Sequence, residues 1–260
     1  MGYNRKARTL LGAALAVFGV IWFGRAMAGA DYSGAASAEA SARLIDISFP
    51  TPPPETPSPA PVPIPEPSPP PAPEPLPELP DMPPDAWELI IVDSAHPLDD
   101  CTFESELVEG QSVDKRIAPS LRAMLADLRA AGGTAFISSA WRNFEVQNAL
   151  WLRAAEKYGE DAALYEDRPG ESEHQTGLCC DITDVFYEEK TASLDSTFTL
   201  KWLAAHCREY GFILRYPAGA ESVTGHPYEP WHFRYVGKDA ASYISAHGVT
   251  LEDLVRELEA

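Results

Sequence analysis

The segment PGESEHQTGLCCDITDVF, residues 169–186, contains a histidine and an aspartate that could hold a metal ion, His174 and Asp181. On one straight strand these two side chains would lie about 23 Å apart, at roughly 3.3 Å per residue. They can meet at one ion only if the chain bends between them, and Gly177 permits a bend. Taken alone, the segment fits either a surface loop with solvated polar groups or two arms of a metal site completed elsewhere.

A second segment, TGHPYEPWHFRYVG at residues 224–237, favours the metal site because it places Glu229 three residues before His232. Catalytic zinc usually takes three protein ligands and keeps a fourth position open. His174, Asp181 and His232 would supply two nitrogens and one carboxylate. Glu229 would then be available as a general base acting on a water molecule.

Other residues could serve as ligands in principle. His226 is an alternative, although Gly225 and Pro227 beside it favour a loop. The sequence has no H-E-x-x-H helix, and its cysteines lack the C-x-x-C spacing of a zinc cluster. An even count of four cysteines outside the cytoplasm suggests disulfides, in which Cys179 and Cys180 pair with Cys101 and Cys207, or one pair forms and two thiols stay buried.

The elements that must position these residues mix helices and short strands without regular alternation. Apolar spacing and capping residues predict helices at 118–133, 143–159, 196–211, 238–248 and 250–258. Ser196 or Thr197 is the candidate N-cap of the third helix, and Gly211 its C-cap. Short β-branched and aromatic runs predict strands at 87–93, 134–141, 177–186, 212–216 and 231–236. This order indicates an α+β fold in which helices flank a small antiparallel sheet.

The chain divides by composition into three parts. Residues 1–30 have a basic start, an apolar run and an A-x-A sequence, which predicts a signal peptide or an N-terminal membrane anchor. Residues 31–86 hold most of the 25 prolines and predict an extended linker, whose proline-rich part could reach on the order of 100 Å. Residues 87–260 then form one domain that lies outside the cytoplasm.

Four blocks of this domain resemble one family. SEHQTGLCCD is similar to the S-x-H-x-x-G-x-A-x-D signature of the VanY-type D-alanyl-D-alanine carboxypeptidases, within the LAS group of zinc peptidases. SSAWRNFEVQ, YGFILRYP and TGHPYEPWHFRYVG resemble the other blocks of the family in the same order. One residue departs from the signature, because Cys179 stands where alanine is usual.

The resemblance implies that His174, Asp181 and His232 hold zinc and that Glu229 is the base and later the proton donor. It assigns Arg142 to the substrate carbonyl, a role that suits a permanent cation beside a developing oxyanion. Ser172 is a candidate for a hydrogen bond to the substrate. Gln147 is a candidate for the pocket lining.

The implied reaction is removal of the terminal D-alanine from peptidoglycan stem peptides. Within the same family, an L,D-carboxypeptidase acting on tetrapeptide stems is the alternative, and a D,D-dipeptidase or an endopeptidase is more distant. A zinc-stabilised module that binds the cell wall without cutting it is the alternative from another class.

The net charge of −19 excludes tight binding to nucleic acid, whose phosphates would be repelled. We expect membrane contact only through the N-terminal segment, and a monomer.

Overall fold

The computed structural model of the protein describes residues 75–99 and 101–260. The predicted signal or anchor at 1–30 and most of the proline-rich linker lie outside these residues. Within the described part of the chain, no helix is long and apolar enough to cross a membrane. The last linker residues contact the domain, since Pro77 O lies 2.8 Å from His247 Nε2 and Met82 and Ala86 pack against buried apolar side chains.

The described helices follow the sequence prediction closely. They are α1 (Ala118–Ala130), α2 (Phe144–Tyr158), α3 (Phe198–His206), the short α4 (Glu221–Thr224), α5 (Lys238–His247) and α6 (Leu251–Leu258). Asn143 and Thr197 cap α2 and α3 by accepting hydrogen bonds from the backbone, so Thr197 rather than Ser196 is the N-cap. A 3-10 turn at Cys207–Tyr210 extends α3, and Gly211 then adopts the left-handed conformation that ends it.

Two antiparallel sheets make up the strands of the described residues. A hairpin joins β1 (Ser105–Val108) to β2 (Gln111–Asp114). The larger sheet contains β3 (Phe136–Ser139), β4 (Cys179–Thr183), β5 (Phe212–Leu214) and β6 (His232–Tyr235), in the order β3-β4-β6-β5. The α+β class with a small antiparallel sheet is therefore confirmed.

The hairpin was not predicted. Its two-residue turn, Glu109-Gly110, has positive φ at both positions, 52° and 84°. Such turns match the right-handed twist of paired strands. The glycine at the second turn position was the available signal, but the flanking strands are only four residues each.

The predicted strand at 87–93 is wrong. Trp87–Leu89 forms a 3-10 turn, and the residues after it are irregular. The carbonyl groups of Glu88 and Ile90 accept hydrogen bonds from Arg234 Nη2, at 3.0 and 2.8 Å. The buried Arg234 guanidinium thus supplies hydrogen bonds that a neighbouring strand would otherwise donate to this segment.

The larger sheet separates the core from a polar face. Cys180, Ile182 and Phe233 belong to the apolar cluster that packs against α1 and α3. Because side chains alternate along a strand, Cys179 and Asp181 of β4 lie on the opposite face. There they meet His232 and Arg234, which pair with them across β4 and β6.

Candidate metal centre

Backbone pairing brings the three predicted ligands together. Asp181 on β4 lies directly opposite His232 on β6. His174 belongs to a 3-10 turn, Glu173–Thr176, which ends at Gly177 in the left-handed conformation, with φ 72°. A side chain at Gly177 would put its Cβ 2.4 Å from the ring of Phe103, so only glycine fits the bend. The turn folds His174 back over the start of β4.

The donor atoms of the three side chains have the spacing of a tetrahedral metal site. Asp181 Oδ1 lies 3.4 Å from His174 Nε2 and 3.3 Å from His232 Nδ1. Ligands about 2.0–2.1 Å from a zinc ion are about 3.3 Å apart along a tetrahedral edge. Asp181 Oδ1 is buried and has no hydrogen-bond partner among the described residues. An unpartnered buried oxygen at these distances fits a bound cation.

The outer nitrogens of both imidazoles are already occupied. His174 Nδ1 lies 2.7 Å from the carbonyl oxygen of Ala140, which can only accept a hydrogen bond, so Nδ1 donates. His232 Nε2 lies 3.4 Å from the Glu173 carboxylate. These partners leave the lone pairs of His174 Nε2 and His232 Nδ1 facing Asp181, as a metal ligand requires.

Glu173 is a residue that the sequence analysis missed. Its side chain is fully buried, and Oε1 accepts hydrogen bonds of 2.7 Å from both Arg215 Nε and Arg234 Nη1. Burial alone would raise the pKa of Glu173, but the two guanidinium groups outweigh it and hold the pKa well below its usual range. Arg215 also forms a two-bond pair with Glu252 on α6. Glu173, which precedes His174 in the sequence, therefore contacts the ring of His232 in the structure.

The centre attracts positive charge. Burial and Arg142 lower the pKa of His174, but the negative groups of Cys179 and Asp181 raise it to about 9. Burial raises the pKa of Cys179, whereas the two imidazoles lower it to about 7. The negative charge of Asp181 and of an ionised Cys179 would also stabilise a metal cation between these side chains.

Two charged groups stand beside the cluster. Lys190 forms an ion pair with Asp181 Oδ2, the oxygen that faces away from the imidazoles. Glu229 Oε2 lies 3.6 Å from His232 Nδ1, and a quarter of its side chain is exposed. Burial raises the pKa of Glu229 above its ordinary value. A carboxylate with a raised pKa, partly open to solvent and next to the candidate metal ligands, could exchange protons.

Arg142 stands on the other side of His174. Its backbone N–H donates to the His174 carbonyl at 3.1 Å, and its Nη2 donates to Ser172 Oγ at 3.2 Å. Nη2 also lies 3.3 Å from Glu166 Oε1. Its Nε is buried without a hydrogen-bond partner among the described residues. The guanidinium therefore has one buried donor that no described residue satisfies.

Gln147 lies behind this arginine. It is completely buried, and its Nε2 donates to Glu166 Oε1 and to the Asp167 carbonyl, both at 2.8 Å. These bonds hold the segment that carries the carboxylate partner of Arg142. The structure brings Arg142 and Ser172 together, and the side chain of Gln147 connects to them through Glu166.

His226 and the expected disulfides lie apart from this arrangement. The ring of His226 stacks on Tyr216 at 4.2 Å and is not among the clustered donors. None of Cys179, Cys180 and Cys207 forms a disulfide. Adjacent strand residues point to opposite faces, so Cys180 lies in the core while Cys179 lies beside the histidines.

In this α+β domain, His232 and Asp181 on the larger sheet, His174 on the turn before β4 and Glu229 beside them have the residue types of a hydrolytic metal centre. Comparison with known proteins agrees. Residues 110–238 match the family described as VanY, D-alanyl-D-alanine carboxypeptidase. A D-alanyl-D-alanine carboxypeptidase of Enterococcus faecalis (strain ATCC 700802 / V583) is 32% identical over 182 residues, covering 64% of this chain and 65% of that protein. The chain spans 58–65% of the length of the curated relatives it matches.

Solved structures resemble the chain over the same region. A mutant of the vancomycin resistance D,D-pentapeptidase VanY from the VanB-type resistance cassette, in complex with Zn(II), has a TM-score of 0.57 and 31% identity. The match covers 65% of this chain and 99% of that one. The LdcB LD-carboxypeptidase has a TM-score of 0.53 and 35% identity, over 62% of this chain and 76% of its own. The chain belongs to the VanY family of D-alanyl-D-alanine carboxypeptidases.

Proposed function

We propose that this chain is a zinc-dependent carboxypeptidase that removes the terminal D-alanine from peptidoglycan stem peptides. The observation that carries the proposal is the spacing of Asp181 Oδ1 from the two imidazole nitrogens, 3.4 and 3.3 Å, in a buried position without another partner. The Zn(II) complex of the related VanY structure supports zinc as the metal.

His174, Asp181 and His232 would hold the zinc ion. When bound, zinc polarises the scissile carbonyl and makes water a better nucleophile at neutral pH. The hydrogen bonds from His174 to Ala140 O and from His232 to Glu173 keep both rings in the orientation that binding requires.

Glu229 moves the proton in the proposed reaction. Its carboxylate takes a proton from the attacking water and later gives it to the amine of the departing D-alanine. A pKa raised by burial suits both roles, because the group must be ionised to accept the proton and acidic enough to return it. The exposed quarter of its side chain leaves it accessible from solvent.

Arg142 provides a fixed positive charge for the substrate carbonyl oxygen as that oxygen becomes negative. Its backbone bond to the His174 carbonyl and its side-chain bond to Ser172 hold the guanidinium beside the proposed metal centre. Ser172, which accepts a hydrogen bond from Arg142, would bind the substrate backbone or orient the guanidinium. Gln147 contributes by holding Glu166, not by direct contact.

An L,D-carboxypeptidase is the second candidate. The chain is 35% identical to the LdcB LD-carboxypeptidase and 31% identical to the D,D-pentapeptidase. The TM-score is higher for the D,D-pentapeptidase, 0.57 against 0.53. Both activities use the same metal centre and differ in the configuration of the residue before the cleaved bond.

Mass spectrometry of stem peptides tests the proposal. The purified zinc-loaded chain is incubated separately with pentapeptide and tetrapeptide stems, with a chelator-treated sample as the control. Loss of D-alanine from the pentapeptide alone supports the D,D assignment, and loss from the tetrapeptide assigns the L,D class. Binding of either peptide without chelator-sensitive cleavage would replace the enzyme with a cell-wall binding module.

We also propose an extracytoplasmic location, since the basic and apolar sequence of residues 1–30 is typical of export or anchoring. The proline-rich segment would let the domain reach uncrosslinked stems in the wall. We propose that the protein acts as a monomer and does not bind nucleic acid, in keeping with its net charge of −19.

A further inference from the structure

Cys179 is a sulfur donor on the metal-binding face of the sheet. It lies two residues before Asp181 on β4, so both side chains point to the same side. The thiol is fully buried. The family signature that this segment resembles has alanine at this position, which offers no donor atom.

Four different donors converge at this point. One donor atom each of His174, Cys179 and His232 lies within 4.8 Å of the other two. Asp181 Oδ1, buried and without a hydrogen bond, lies 3.4 and 3.3 Å from the same two imidazoles. A buried cysteine in an apolar core behaves as a small hydrophobic residue. Here the thiol lies beside two imidazole nitrogens, which are common metal ligands.

We propose that Cys179 supplies a fourth protein ligand, a thiolate, to the metal ion held by His174, Asp181 and His232. This inference rests on the proposed metal centre; with four protein ligands, the water of the proposed reaction would enter as a fifth ligand, a coordination number that catalytic zinc can reach. The thiol proton leaves to solvent as the metal–sulfur bond forms. A set of two nitrogens, one oxygen and one sulfur favours soft divalent ions, so the site should prefer Zn²⁺ and Cd²⁺ to Mn²⁺ or Mg²⁺.

Cys180 provides a matched control. It is the adjacent residue, is equally buried, and belongs to the apolar cluster on the other face of the sheet. Cys180→Ala removes one buried thiol from the same strand without changing the donors at the centre. Any effect of losing a cysteine in general should appear in both variants.

Cobalt absorption spectroscopy tests the proposal directly. Metal-free full-length wild type, Cys179→Ala and Cys180→Ala are each titrated with Co²⁺. A thiolate ligand produces a sulfur-to-cobalt charge-transfer band in the near ultraviolet, which we expect in wild type and Cys180→Ala and not in Cys179→Ala. The visible cobalt bands should remain in all three, because the other ligands still bind.

Competition with a chelator measures affinity for Cd²⁺ and Zn²⁺. Loss of an outer hydrogen-bond partner of a ligand already lowers metal affinity roughly 10–100-fold, so loss of a direct ligand should cost at least about as much. We expect that loss in Cys179→Ala, larger for Cd²⁺ than for Zn²⁺, and unchanged affinity in Cys180→Ala. Cys179→Ser, which keeps the volume, replaces Cys179→Ala if the alanine variant does not fold, and should also lack the charge-transfer band.

The outcomes separate the two proposals. Wild type that binds one Co²⁺ per chain without the charge-transfer band, or affinities equal in wild type and Cys179→Ala, would overturn the role of Cys179 and leave the proposed enzyme intact. Wild type that binds no metal, or a His232→Ala variant that binds as tightly as wild type, would overturn the metal centre itself.

Discussion

Removal of the Glu173 side chain should strongly destabilise the protein. This side chain is fully buried, accepts one hydrogen bond from each of two buried guanidinium groups, and contacts His232. After Glu173→Ala, Arg215 keeps its pair with Glu252. Arg234 keeps only carbonyl partners, so its charge stays buried without a carboxylate.

The magnitude follows from this arrangement. Removing one partner of a buried ion pair costs about 3–5 kcal/mol, a large part of an ordinary stability of about 5–15 kcal/mol. We expect Glu173→Ala to lose about that much free energy of unfolding. Glu173→Gln keeps the shape and one acceptor, and should lose about 1.5–3 kcal/mol, the contribution of a hydrogen bond to a charged group. Both variants should bind zinc roughly 10–100-fold more weakly, because His232 loses its carboxylate partner.

Urea unfolding of the metal-free protein and chelator competition for zinc measure the two effects separately. The matched control is Glu252→Gln, which weakens a pair with Arg215 but does not touch His232. It should lower stability and leave zinc affinity unchanged. The reasoning is refuted if Glu173→Ala unfolds within about 1 kcal/mol of wild type, or if both variants and the control have equal zinc affinity.

The stability of the protein should depend on pH through the ion pairs of Glu173 with the two arginines. Arginine contacts hold the pKa of Glu173 well below its ordinary value of 4.5. A group with a lowered folded-state pKa stabilises the fold above its unfolded-state pKa, and this contribution is lost as the pH falls through the folded-state value. The stability difference between wild type and Glu173→Gln should therefore be constant above about pH 4.5 and shrink only at lower pH.

Three further predictions concern the centre. Glu229→Ala should keep zinc and fold but lose about 10²–10⁴-fold in turnover of stem peptide, the usual contribution of a general base; wild-type turnover in the zinc-loaded variant would exclude that role. His232→Ala should lose zinc, measured as metal per chain after dialysis, and full occupancy would show that the ligand set is wrong. Lys190→Ala should raise the pKa of Asp181, because burial would no longer be opposed by that cation. The zinc affinity of this variant relative to wild type should therefore decrease from neutral to acidic pH, and a ratio that does not change with pH would contradict the ion pair as its cause.

Local signals in the sequence were sufficient for most elements. Helix α2 begins at the cap residue Asn143, and Gly159 follows its last turn, because capping depends on neighbouring residues. The prediction of a strand at 87–93 failed because residues distant in sequence satisfy this segment. Its apolar side chains pack against α5 and α6, and two of its carbonyl groups accept hydrogen bonds from Arg234. A buried irregular segment and a buried strand can have the same run of apolar residues, so the run alone cannot distinguish the two structures.

The sequence by itself determined which residue types could bind a metal and that a bend must bring two of them together. One short segment contains His174, Gly177 and Asp181, and Glu229 lies three residues before His232. Only the tertiary structure decided that Asp181 pairs with His232 across two strands, that Cys179 joins them, and that Glu173 lies between Arg215 and Arg234. These contacts join residues some 40 to 60 positions apart. They depend on which strands pair and in which register, and a shift of one residue would send Cys179 and Asp181 into the core.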